Sequence, residues 1–100
     1  MTWRAYGYDF EGPFYSSDKI PAYPGVYTVW CITDKGNYLL DVGQAENLHE
    51  RIVNHDRKDC WKRNCYGQTA YYLAKEYSEQ ARLNLEKRIR EEHKPPCGEK

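Results

Sequence analysis

Apolar and polar positions change rhythm several times along the chain. Tyr27 to Ile32 and Tyr38 to Val42 are short runs dominated by β-branched, aliphatic and aromatic residues, which is strand composition at strand length. The stretch Thr33 to Asn37 between them carries Asp34 and Gly36, so the two runs predict a β-hairpin. Counted outward from Asp34, Tyr27 and Asp41 fall opposite each other. Gly43 ends the second run. Asn47 followed three residues later by Glu50 has capping-box spacing, and predicts a helix with Leu48, Ile52 and His55 on one face and Arg51 on its flank. Asp59 to Gly67 reads either as a turn or as a short helical piece. Thr69 to Leu73 predicts a third strand. Ser78 caps a second, longer helix reaching about His93, with Ala81, Leu85 and Ile89 as its apolar stripe, and Pro95-Pro96 stop it.

Before these elements the rhythm is less regular. Trp3, Tyr6, Tyr8, Phe10, Phe14 and Tyr15 are interleaved with Gly12-Pro13, Ser16-Ser17 and Pro21, which predicts an extended aromatic arm over residues 1–23 ahead of a domain at 24–98. Such an arm either covers an open sheet edge or offers stacking faces to bases or to a partner protein. The expected fold is α+β: a small three-stranded antiparallel sheet flanked by helices, with an N-terminal aromatic extension.

Composition narrows the class. One hundred residues make one small domain, and fifteen aromatics, ten of them Tyr, offset an apolar share of only 40%. No apolar run approaches the ~20 residues of a membrane span, and the first residues lack a signal-peptide core. A soluble cytoplasmic protein with reduced thiols is expected. Cys60, Cys65 and His55 are compatible with zinc, but lack the paired knuckles of structural zinc sites.

Fifteen basic side chains balance fifteen acidic ones, but unevenly. Residues 1–50 hold three basic and seven acidic groups, residues 51–100 twelve and eight. The basic excess gathers at Arg51, Arg57, Lys58, Lys62 and Arg63, and again at Arg82, Lys87, Arg88, Arg90 and Lys94. The first cluster is the candidate nucleic-acid-binding surface.

Five residues carry the candidate chemistry: Tyr27, Asp41, Arg51, His55 and Glu86. An arginine can fork onto phosphate oxygens, a carboxylate can hold a hard divalent cation, and a phenol or imidazole can orient or deprotonate water. That combination suits phosphodiester cleavage.

The same residues carry a resemblance. Pro24-Gly25-Val26-Tyr27, then Asp41-Val42-Gly43 continuing to Asn47-Leu48, then Arg51 and His55, Leu85-Glu86 and Lys94-Pro95-Pro96 resemble, in unbroken order, the GIY-YIG nuclease domain. The resemblance implies hydrolysis of DNA phosphodiesters with a single Mg²⁺ or Mn²⁺. It gives Tyr27 the role of positioning or activating water, Arg51 that of gripping the scissile phosphate, His55 that of assisting proton handling, and Glu86 that of binding the metal. A tyrosine serving as base needs a nearby cation, and Arg51 with the metal is expected to lower its pKa. Two positions depart from the pattern. Asp41 stands where the second motif has a tyrosine, and Gly98 where a late asparagine falls. Asp41 and Glu86 sharing one cation would compensate, whereas loss of function at both positions would leave a noncatalytic binding module.

Overall fold

The computed structural model describes residues 2–98. Its nine elements are β1 (Thr2–Ala5), β2 (Tyr8–Phe14), a 3₁₀ turn at Ser17–Lys19, β3 (Gly25–Thr33), β4 (Gly36–Ala45), α1 (Leu48–Val53), α2 (Lys58–Arg63), β5 (Gln68–Lys75) and α3 (Glu79–His93). All strands are antiparallel, in the spatial order β1-β2-β5-β3-β4.

The sheet has five strands, which corrects the expected three. The additional pair comes from the aromatic N-terminal segment. Trp3 and Ala5, then Tyr8 and Phe10, alternate with polar neighbours. Tyr6 and Gly7, both at positive φ, close the two strands into a hairpin. β2 then pairs with β5 and covers what would otherwise be an open edge; the register slips between Glu11 and Phe14, where Pro13 has no N–H to give to the ladder. Phe10 is buried, and Trp3 packs on it at 4.7 Å and edge-on against Trp30 at 5.3 Å.

Helices cover both faces. Alternation along β3 sends Tyr27, Val29 and Cys31 toward α1 and α2, where they join Leu40, Leu48, Ile52, Trp61 and Leu73. Val26 points to the other face, with Phe10, Val42, Ala74 and the α3 residues Leu85 and Ile89. Leu85 and Ile89 are the stripe expected for α3, but Ala81 is only half-buried and Arg82 is buried instead. Its Nε donates to Gln44 Oε1 at 2.8 Å and its Nη1 to the carbonyls of Glu76 and Tyr77. Ser78 and Asn47 cap their helices as expected, through Ala81 N–H and Glu50 N–H. The segment whose form was open, Asp59 to Gly67, contains most of α2. Among the described residues no helix is long and apolar enough to cross a membrane.

The hairpin register also differs from expectation. Its turn is Asp34-Lys35 and the ladder shifts between Val29 and Trp30, so Asp41 faces Val29 and Tyr27 faces Gly43. One displaced residue in β4 changes which side chains meet across the strands.

The four cysteines are paired, Cys31 with Cys65 and Cys60 with Cys97. This corrects the expectation of reduced thiols and removes the zinc option, since Cys60 and Cys65 belong to different bridges. Two disulfides suit an oxidising compartment better than the cytosol. The bridges tie β3 to the loop before β5, and α2 to the segment after α3. They span 34 and 37 residues, for which loop-closure entropy gives each about 3–4 kcal/mol. Replacing Cys31 and Cys65, or Cys60 and Cys97, by serine pairs is expected to lower unfolding free energy by about that amount in a denaturant titration, and the native protein should show no reactive thiol.

Candidate functional site

The rim of β4 forms one wall of a polar pocket of about 190 Å³ lined by Tyr27, Gly43, Gln44, Arg51, Arg57, Glu86 and Arg90. Three elements meet there. β3 brings Tyr27, α1 and the loop after it bring Arg51 and Arg57, and α3 brings Glu86 and Arg90 one helical turn apart.

Tyr27 reaches the pocket by lying over Gly43, its partner across the ladder. A methyl group at 43 would overlap the Tyr27 ring and hydroxyl; the glycine is the space the phenol occupies. The hydroxyl is 2.6 Å from His55 Nε2. His55 was expected on the helix face beside Arg51. Instead α1 ends at Val53 and Asn54 caps it, so His55 follows the helix with its ring turned inward between Tyr27 and Trp61. Its Nδ1 accepts the backbone N–H of Arg57 at 3.0 Å. The proton of the neutral ring is therefore on Nε2, which donates to Tyr27 and leaves the phenol hydrogen to be donated elsewhere.

Burial pushes the His55 pKa down to about 4, and the charges of Arg51 and Arg57 act the same way. The Asp56 carboxylate lies 3.5 Å from Nδ1, but a neutral ring already accepting a backbone N–H there makes no ion pair with it. The Tyr27 pKa is pushed up to about 12, first by burial and then by the charge of Asp41, against the opposing pull of Arg51 and Arg57. The lowering expected from Arg51 is present, but desolvation outweighs it.

Asp41 is not an accessible carboxylate. It is fully buried, and Oδ2 accepts from Arg57 Nε at 2.8 Å and from Trp61 Nε1 at 2.9 Å. Oδ1 accepts from Arg90 Nη2 at 3.1 Å, Arg57 Nη2 at 3.3 Å and the Val42 N–H at 2.8 Å. With both oxygens surrounded by donors, Asp41 is a structural anion, and sharing a cation with Glu86 would require displacing the arginines. Glu86 does face the pocket, a quarter exposed and 4.0 Å from Arg90. Arg51 is about a third exposed, its recorded ion pair being with Asp56 at 3.5 Å at the surface.

Tyr27, Arg51 and Glu86 thus share one pocket with His55 behind Tyr27, and Asp41 lies beneath the wall. Arg57, placed by sequence in the basic nucleic-acid-binding cluster, lines the pocket too. Its neighbours Lys58, Lys62 and Arg63 do not: Lys58 donates to the Val53 carbonyl, and Lys62 and Arg63 are exposed on α2. Arg90 and Trp61 were missed as site residues. The signal available for Arg90 was its position four residues after Glu86 on the same helix face.

Among the described residues no group of three or more His, Cys, Asp or Glu side chains is gathered to hold a metal. Glu86 alone fits the manner in which Mg²⁺ is held by one or two carboxylates together with water and substrate phosphate. No family model matches the chain, and neither a curated protein nor a solved structure matches it.

Two outcomes test this geometry. Because the His55 pKa is about 4 when folded and 6.5 by default, the unfolded chain takes up the proton first as pH falls. Stability should therefore decline from pH 6.5 toward 4, by roughly 3 kcal/mol in all, and His55→Gln should blunt that decline in denaturant titrations across pH. Gly43→Ala should cost about 1–3 kcal/mol by overpacking against Tyr27, with a lower unfolding midpoint than wild type.

Proposed function

We propose that the protein is a divalent-metal-dependent endonuclease that hydrolyses DNA phosphodiester bonds. The observation that carries this reading is the gathering of Tyr27, Arg51 and Glu86 around one polar pocket, with His55 donating to Tyr27 from behind. The resemblance of the motif residues to the GIY-YIG nuclease domain supports the same chemistry.

Each residue has a task its geometry suits. Arg51, the most solvent-accessible guanidinium of the pocket, offers a planar fork to phosphate oxygens. Tyr27 Oη accepts from His55 and can direct its own hydrogen toward a water in the pocket; when that proton passes to solvent through the water, His55 Nε2–H remains to stabilise the phenolate, which can then take a proton from the attacking water. The neutral imidazole adds no charge, so Arg51 is not repelled by its neighbour. Glu86 is the carboxylate that would hold Mg²⁺ or Mn²⁺, and the bound cation would neutralise charge on the phosphate and draw the Tyr27 pKa down. The exposed Lys62 and Arg63 supply sequence-independent attraction to a DNA backbone.

A second reading, a noncatalytic nucleic-acid-binding module, is favoured by one observation. Tyr27 is 1% exposed, and that burial together with the charge of the buried Asp41 pushes its pKa up to about 12, so the phenol is almost wholly protonated near neutrality.

Nicking of supercoiled plasmid in Mg²⁺ or Mn²⁺ separates the two. The wild type should nick, Glu86→Ala and Tyr27→Phe should each lose at least about a hundredfold, and EDTA should stop the reaction. With Tyr27 as base, the logarithm of the rate should climb with pH at a slope near one while pH stays below the Tyr27 pKa. A flat profile would assign Tyr27 to hydrogen bonding alone, and absence of nicking by a folded protein that binds DNA would select the binding module.

A further inference from the structure

We infer that Asp41 is a positioning residue for phosphate binding: its buried carboxylate holds Arg57 and Arg90 in the pocket wall, making Arg57 a second guanidinium that grips the DNA backbone beside Arg51. The inference rests on the nuclease reading for the identity of the ligand, and on the structure for the device itself.

Arg57 is bound to Asp41 along one edge, through Nε and Nη2. A guanidinium is planar and rigid, so fixing one edge fixes the direction of the other. That other edge belongs to a side chain lining the same pocket as Arg51 and Tyr27. Trp61 Nε1 holds Asp41 from below, and Arg90 closes the cluster by donating to Asp41, to the Val42 carbonyl and to the Cys97 carbonyl. Without the carboxylate, two guanidiniums in one wall would repel each other and lose their common anchor.

The two departures from the motif pattern meet at this cluster. Gly98 has φ +106°, and a Cβ there would come within 2.5–2.6 Å of the Arg90 guanidinium and 2.8 Å of Asp41 Oδ1. A side chain at 98 and the Arg90–Asp41 pair compete for the same volume. Asp41 and Gly98 therefore act together: one supplies the anion, the other makes room for its counterion.

Binding of a short labelled DNA duplex in EDTA, read by fluorescence anisotropy across salt concentrations, tests the device without cleavage. Arg57→Gln and Asp41→Asn should each weaken binding about tenfold at low salt and lower the salt slope by about one, the loss of one phosphate contact. The double variant should bind no more weakly than Arg57→Gln, because both changes remove one device. Thermal melting of each variant accompanies the measurement, since a purely structural Asp41 would lower the melting temperature and leave the salt slope unchanged. If Asp41→Asn does not fold, Trp61→Phe, which removes one hydrogen bond to Asp41, takes its place in the cycle with the same outcomes. Wild-type affinity and slope in Arg57→Gln, losses that multiply in the double variant, or no DNA binding by the wild type would overturn the inference. Coupled binding losses in a protein that never nicks would retain the device and reject hydrolysis; nicking by wild type with uncoupled losses would do the reverse.

Discussion

A carboxylate with no solvent exposure has to be neutralised by its neighbours, and Asp41 on β4 imposes that requirement on three separate parts of the chain. Arg57 comes from the loop between α1 and α2, Trp61 from α2, and Arg90 from α3. Each must approach the same carboxylate, which ties α2, the loop before it and α3 to β4. The Cys60–Cys97 bridge reinforces the arrangement by tying α2 to the segment after α3, whose Cys97 N–H donates to the Leu40 carbonyl. A buried ion pair of this kind is weak evidence for net stability, because desolvation opposes the Coulomb gain, but removal of one partner is costly, typically 3–5 kcal/mol.

On the pocket side of the cluster, geometry and electrostatics pull in different directions. The Tyr27–Gly43 contact delivers the phenol to a polar cavity, and His55 is held as a neutral donor by the Arg57 N–H on its other nitrogen. Burial nevertheless disfavours the phenolate, and the arginines that could compensate are in part occupied by Asp41. Arg51 is the most accessible of the pocket guanidiniums, and Glu86 is the one carboxylate among the described lining residues, with the Asp41-held Arg57 beside them. On the proposed nuclease reading, such a pocket would engage phosphate first, and proton transfer at Tyr27 would depend on added positive charge.

How much of this was legible in the chain varies with the range of the interaction. Helix caps at Asn47 and Ser78 and the Leu85, Ile89 stripe were readable because they depend on neighbours three or four positions away. The β1–β2 hairpin was legible in principle, since Trp3, Ala5, Tyr8 and Phe10 alternate with polar residues, but Gly12 and Pro13 read as turn formers within an extended arm, and pairing with β5 is what makes β2 a strand of the sheet. His55 was assigned to a helix because its spacing fits one; only the termination of α1 at Asn54 turned it inward. The pairing of the four cysteines had no local signal, since connectivity depends on chain segments more than thirty residues apart.

By itself the sequence determined the local periodicities, the candidate residues Tyr27, Arg51, His55 and Glu86, and the opposite charge of its two halves, because each of these is carried by residue type and short-range spacing. Tertiary structure alone decided that the sheet has five strands and that the cysteines pair. It also decided that Asp41 is an internal counterion instead of a metal ligand. The register of β4, the burial of its face and the arrival of Arg57, Trp61 and Arg90 set the environment of that one carboxylate, and the chemistry of an ionisable group is governed by its surroundings as much as by its identity.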